Sequence, residues 1–379
     1  MKKLFAVMFV VISLLISGCG NSLINEKAKS DTGKTPFESQ NPTDYTTQPT
    51  SEPTSDASQK VSPLPSPTPP PIPGQGDYKP NEAGRVMVVM FHNFVESFTP
   101  SEYDNGEFTI TFTDFEKLLS ILYEKDYRLI SLQNFLDNEI LVPRGCIPMV
   151  FTFDDGSKGQ FNLIKEDDSL KVNPKSAVGI MEEFHRKHPD FGLEGTFYVS
   201  LAANTFIGEG TIEERLDYLI ERGFEIGNHT LTHIDLSQAD KSKILKEVGG
   251  NQKKMDEIIS GYLFKSLALP LGHNAEGELA GYVVQGEYEG TEYANRAIMR
   301  VGWDPTYSPI NKSFNPLSTH RVRSPGINPI DFDLNWWLEN LARSEQFISD
   351  GNPDTVTIPS LVEKDVDLTR LNGKKLILY

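Results

Sequence analysis

From residue 84 onward the apolar positions alternate between two patterns. Short continuous runs suited to buried strands occur at 85–91, 128–130, 148–153, 195–200, 224–227, 266–269 and 374–379. Between most of them lie stretches with helical spacing. Residues 113–125 put Phe115, Leu118, Leu119 and Leu122 on one face. Helices are also expected over 132–136, 175–188, 211–222, 238–260 and 330–347, the last containing Trp336 and Trp337. Strands that alternate with helices predict βαβ units and a parallel sheet, open or closed into a barrel. Residues 271–330 are rich in Gly, Pro and Asn and show no regular period.

The first 83 residues follow neither pattern. Lys2 and Lys3 precede an apolar run from Leu4 to Ile16, interrupted only by Ser13. That run falls short of the roughly 20 residues a spanning helix needs, and reads as an export signal. It ends Leu15-Ile16-Ser17-Gly18-Cys19, which resembles the lipobox of bacterial lipoproteins. The resemblance implies cleavage before Cys19, lipidation of Cys19, and anchoring on the extracytoplasmic face of the cell membrane. Residues 20–83 are rich in Ser, Thr, Pro and Asn, with a proline-dense run at 63–73. Such a composition cannot bury a core and is expected to be a disordered tether, reaching roughly 45 Å as a flexible coil. The expected organisation is signal 1–19, tether 20–83 and one folded domain 84–379.

Charge narrows the partners. Against 36 Lys and Arg stand 53 Asp and Glu, a net charge of −17. This disfavours nucleic acid, which needs a basic face. The only cysteines are Cys19 and Cys146, so no disulfide framework or cysteine metal site is expected.

The candidate chemistry lies at strand ends. The run Met149-Val150-Phe151-Thr152-Phe153 stops abruptly in Asp154-Asp155-Gly156. Two acids at the C-terminal end of a buried strand are costly unless paired, hydrogen-bonded or bound to metal, and that end is where α/β folds place active sites. A second strand runs into Asn228-His229-Thr230-Leu231-Thr232-His233. Imidazoles four residues apart share one face of a helical turn and can converge on one ion. Two His and one carboxylate form a metal set with open positions, as in catalytic zinc sites.

Thr152-Phe153-Asp154-Asp155-Gly156, followed by Asn228-His229-Thr230-Leu231-Thr232-His233, resembles the first two motifs of the polysaccharide deacetylases, carbohydrate esterase family four. The resemblance covers about 86–272. It implies a distorted β/α barrel with fewer than eight regular units. It implies Asp155, His229 and His233 as ligands of a divalent metal, zinc by donor set, and Asp154 as catalytic base. Asn228 and Thr232 are expected to orient the imidazoles. The implied reaction removes acetyl groups from an N-acetylated glycan, with a backbone N–H at Leu271 helping to hold the oxyanion.

The chain departs from the family pattern in two places. Where the third motif carries arginine and an aromatic before glycine, this chain has Ala268 and Leu271 within Leu267-Ala268-Leu269-Pro270-Leu271-Gly272. Arg321 and Arg323 are the candidates to replace the arginine. The late strand that supplies the family's acid histidine is sought at 374–379, which contains none; His320 and His92 are the candidate acids. Gly302-Trp303-Asp304 faintly resembles the fourth motif, and Trp303 fits either an acetyl pocket or the core. His185, His188 and His273 read as surface or loop residues, and Cys146 as core or turn. Two other readings remain open: a catalytically impaired glycan-binding or envelope-assembly lipoprotein, and the same metal chemistry on another amide or an ester.

Overall fold

A computed structural model describes residues 79–100 and 104–379. The expected signal, Cys19 and most of the expected tether lie outside the described residues. The fold begins ahead of Gly84: Asn81 bridges Ile348, and Asn81, Glu82 and Ala83 are buried.

Among the described residues the main sheet has nine strands, and seven of them build the wall that carries the site: β1 (Arg85–Phe91), β2 (Ile147–Asp154), β3 (Thr196–Val199), β4 (Glu225–Asn228), β5 (Ser266–Ala268), β6 (Ala297–Met299) and β7 (Val322–Arg323). From β1 to β6 each pairs in parallel with the next, β1 and β2 in register from Met87–Met149 to Phe91–Phe153. The last stretch curls the sheet back on itself. Thr319 bridges Met299 at the end of β6, and β7 pairs in parallel with β1 through Val89–Val322 and Met90–Arg323. The result is an α/β fold whose curled parallel sheet forms a distorted barrel.

The pattern of β2 explains its central place. All eight of its residues are buried, as expected of a strand covered on both faces. Its side chains alternate with period two. Phe151 and Phe153 face the outer helical layer, where Phe153 stacks between Phe91 and Phe197 at 5.3 and 4.5 Å. Val150 packs inside with Val86, Val88, Tyr198, Ala268 and Met299. Thr152 and Asp154 share that inward parity. The Tyr198 ring fits because β4 has glycine opposite it: a Cβ on Gly227 would lie 2.4 Å from the ring.

The outer helices start where side chains satisfy their first N–H groups. Thr111 caps Phe112–Glu124, Ser176 caps Ala177–Lys187 and Asp240 caps Lys241–Ile258. Thr211 and Glu214 form a reciprocal capping box on Ile212–Glu221.

Two expectations are corrected. The helix expected over 330–347 is confined to Leu334–Asn340, because Asp333 caps it late and the chain turns extended at Leu341. The strand expected at 374–379 forms, but it does not join the main sheet. Lys375–Leu378 pairs with Thr355–Ile358 in a separate two-stranded sheet over its own small core of Ala83, Ile310, Val356, Ile358 and Val366. The closing strand is short and lies in the Gly- and Pro-rich region without hydrophobic period. The hairpin of Gln285–Tyr288 and Thr291–Ala294 lies in the same region.

Glu82 generates a stability prediction. It is 6% exposed and accepts backbone N–H bonds from Thr357 at 2.7 Å and Asp350 at 3.3 Å. Burial, reinforced by the Asp350 charge, raises its carboxyl from 4.5 to about 7 against those bonds. A folded-state pKa above the unfolded one means the folded chain holds the extra proton, so stability falls as pH rises through that window. Glu82→Gln should flatten the fall in melting temperature between about pH 4.5 and 7. An unchanged slope would assign it to other groups.

Candidate active site

Successive residues of a strand face opposite ways, yet both acids at the end of β2 reach one site. Asp154 is the last strand residue and points inside the barrel, 1% exposed. Asp155 has φ 81°, in the left-handed region, which Asp tolerates better than most residues. That turn swings its carboxylate over the barrel mouth. Gln160 fastens the two strand ends beneath it, donating from Nε2 to the carbonyls of His92, at 2.7 Å, and of Asp154.

The histidine pair converges by a different route from the expected helical turn. Residues 229–233 are not helical, and Thr230 and His233 have φ of 62° and 55°. Asn228 and Glu247 hold this loop. Asn228 Oδ1 accepts the Thr230 N–H at 2.8 Å. Buried Glu247, on the Lys241–Ile258 helix, accepts the backbone N–H and the hydroxyl of Thr232, both at 2.8 Å. The hydrogen bonds of Asn228 and Thr232 therefore shape the backbone of the loop, where an orienting bond to the imidazoles is expected from sequence. The ring of His229 is oriented instead by the Ala268 carbonyl, 2.8 Å from its Nδ1, which leaves Nε2 for the site.

Asp155 Oδ1 lies 3.4 Å from Nε2 of both His229 and His233. One ligand atom from each of the three residues lies within 4.8 Å of the others. A separation near 3.4 Å is the ligand-to-ligand spacing of a tetrahedral ion with bonds of about 2 Å, so these residues fit a divalent cation. The charges agree with that fit. The imidazoles outweigh burial to hold the Asp155 carboxyl well below its usual range. His229 is raised despite its burial, chiefly by its bond to Asp155.

Asp154 is held by Arg321. Two parallel bonds join them, Nη1 to Oδ1 at 2.6 Å and Nη2 to Oδ2 at 2.7 Å, with both side chains buried. Arg321 also donates to Thr152 Oγ1 at 3.2 Å and to the Arg300 carbonyl at 3.0 Å. Burial alone would raise the Asp154 carboxyl; the guanidinium outweighs it and lowers the pKa. Ala268, where the family pattern carries arginine, is a small buried residue on β5. The cation beside Asp154 comes from the stretch between β6 and β1.

The other candidates separate. Arg323 does not pair with Asp154: it faces Glu107 Oε2 at 3.5 Å and lies over the Phe108 ring at 4.7 Å. His92 Nε2 is 3.9 Å from Asp154 Oδ2, and burial lowers its pKa against the pull of the two acids. His320, although next to Arg321, meets Asp304 at 3.3 Å. Leu271 follows β5 with φ 58° and its side chain 61% exposed. Trp303 is 63% exposed and is not a core residue. His273 pairs with Asp235 on the surface. Cys146 is buried, and burial pushes its thiol up to about 11. Gln160, Glu247 and the Ala268 carbonyl escape sequence reasoning, since their roles rest on contacts between distant residues.

A curled parallel sheet with an acid pair and a histidine pair at its strand ends defines a barrel of the deacetylase type. Residues 142–280 match the family described as polysaccharide deacetylase. Among solved structures, a polysaccharide deacetylase from Bacillus cereus is similar at 17% identity and TM-score 0.49, covering 68% of this chain and 69% of that one. The Streptococcus pyogenes deacetylase PplD, in complex with acetate, is similar at 15% identity and TM-score 0.48, over 68% of this chain and 98% of its own. A de-N-acetylase from Aggregatibacter actinomycetemcomitans follows at 14% identity and TM-score 0.41, over 62% and 94%. No curated protein matches.

The Asp154–Arg321 pair generates a second prediction. Arg321→Met should strand a buried carboxylate and destabilise the fold by about 3–5 kcal/mol. Adding Asp154→Asn should recover part of that loss in denaturant unfolding. Equal losses in the single and double variants would show that Arg321 acts through packing alone.

Proposed function

We propose that the chain is a metal-dependent carbohydrate N-deacetylase that hydrolyses acetamido groups on a polysaccharide or oligosaccharide. The observation that carries this reading is the convergence of Asp155, His229 and His233 beside an Asp154 held ionised by Arg321. Asp155, His229 and His233 would hold the cation, with zinc favoured by one carboxylate and two imidazoles. When bound, it supplies Lewis-acid polarisation of the acetamide carbonyl and of a water.

The chain's own groups do the rest. Arg321 keeps Asp154 ionised and fixes both of its oxygens, so a base is ready without reorganisation. Asp154 takes a proton from water as the water oxygen bonds to the carbonyl carbon. The backbone N–H of Leu271 is placed in this reading to donate to the oxygen that gains charge. The C–N bond then breaks, acetate leaves, and the amine gains a proton. Between the two candidate acids, His92 fits that last step better. Its Nε2 stands 3.9 Å from the base, whereas His320 is engaged by Asp304. A buried neutral imidazole can pass on the proton that Asp154 has collected.

Residues 1–19 support a setting outside the cytoplasm, with Cys19 as a lipid anchor and 20–78 as a spacer. There the enzyme would meet envelope glycans. Cys19→Ala should release the chain from the membrane fraction into the medium; retention in the membrane fraction would remove the anchor. For the catalytic reading, the purified chain with divalent metal should release acetate from N-acetylglucosamine oligomers and lose that activity with chelator. Asp154→Asn should keep bound metal and lose at least about a hundredfold in rate. His229→Ala should lose both, and metal content measures the difference. Activity that survives Asp154→Asn or chelation would overturn the mechanism.

A further inference from the structure

All three tryptophans of the chain lie together in one patch outside the metal-ligand cluster. Trp303 follows β6, and Phe332, Trp336 and Trp337 lie on and just before the Leu334–Asn340 helix. Phe332 and Trp336 have ring centroids 4.6 Å apart, and Trp336 and Trp337 meet edge to face at 4.8 Å. The Trp337 indole N–H donates to the Trp303 carbonyl, which ties the two segments together. Phe332 is 45% exposed and Trp303 63%. Trp336 and Trp337 are half-buried, Trp337 packing against the main core; an exposed apolar patch of this kind marks an interaction site.

The patch sits by the closing seam of the barrel. Asp333, which caps the helix, bridges Arg323 on β7, two residues from Arg321. Trp303 and Asp304 follow β6, and Asp304 meets His320, the neighbour of Arg321. Chain continuity thus links the rings to the stretch that supplies the partner of Asp154.

We propose that Trp303, Phe332, Trp336 and Trp337 form a stacking platform for pyranose rings of a glycan several residues from the one being hydrolysed. The proposal rests on the carbohydrate deacetylase reading. Three observations favour sugar over other occupants. The flanking residues are polar and acidic, with exposed Asp331, Asn335 and Glu339 as partners for hydroxyl groups. Carboxylates on a chain of net charge −17 oppose an anionic membrane surface, whereas a neutral polyhydroxylated ring carries no such penalty. The Phe332, Trp336 and Trp337 rings are already held against one another, so little ordering of them remains to be done on binding.

The test uses the full chain, first with chelator so that no turnover occurs. It is titrated with N-acetylglucosamine oligomers of increasing length, followed by tryptophan fluorescence and calorimetry. Affinity should rise with length in the wild type. Trp336→Ala should weaken the longest oligomers by about tenfold and leave the shortest unchanged. Phe332→Ala, the smaller change, serves if a thermal melt shows that Trp336→Ala does not fold. Wild-type affinity without length dependence, equal affinity in the variants, or ring-dependent binding to phospholipid vesicles instead would overturn the platform. Acetate release with metal is measured in parallel. Binding that depends on Trp336 without acetate release would remove the catalytic reading and keep the platform. Acetate release whose length dependence is unchanged in the variants would remove the platform alone.

Discussion

The bidentate pair of Arg321 and Asp154 is the interaction on which this structure turns. It joins residues 167 apart in sequence, both out of water. An isolated charge of either kind would cost several kcal/mol there. Each is tolerable because the other is present and because Thr152 and the Arg300 carbonyl take further donors of the guanidinium. The contact also lies at the seam, where Thr319 meets β6 and Val322 meets β1. The same bonds therefore tie the seam to β2 and hold the Asp154 carboxylate ionised. A packed apolar seam would leave Asp154 without the guanidinium that offsets its burial.

Much of this was legible in the residues. The buried strand ending in Asp154-Asp155 and the later His229–His233 pair announce strand-end chemistry, because acids and imidazoles there need a reason. The alternation of apolar runs and amphipathic stretches announces the parallel sheet. What could not be read depends on backbone conformation and long-range contact. His229 and His233 come together through left-handed residues and a buried Glu247, not along a helical face. The strand at 374–379 has the composition of a sheet edge, but its neighbours are Thr355–Ile358. The stretch 319–323 has no hydrophobic period, so nothing local marks it as part of the wall. Its two arginines look equivalent in sequence; only packing separates Arg321, on Asp154, from Arg323, over Phe108.

Backbone geometry does more at this site than residue type suggests. Asp155, Thr230, His233 and Leu271 all have positive φ without being glycine. Such conformations cost about 1–3 kcal/mol each and persist only when surrounding contacts impose them. Gln160, Asn228 and Glu247 are those contacts for the first three turns' neighbourhood, each spending buried hydrogen-bonding groups on main-chain atoms. The strand ends are thus held as a rigid rim.

The wide sequence separation of the Asp154–Arg321 contact bears on how the chain acquires its activity. Strands β1 to β6 can zip in order of sequence, each against a near neighbour, but the seam must wait for a loop of well over a hundred residues to close. Non-local closures of that kind come late and slowly. Until then Asp154 has no guanidinium beside it to fix its two oxygens and hold its charge. Hydrolytic competence would then arrive with the final topological step rather than accumulate with secondary structure. A chain halted short of that step would hold its histidine loop in place and still be inert.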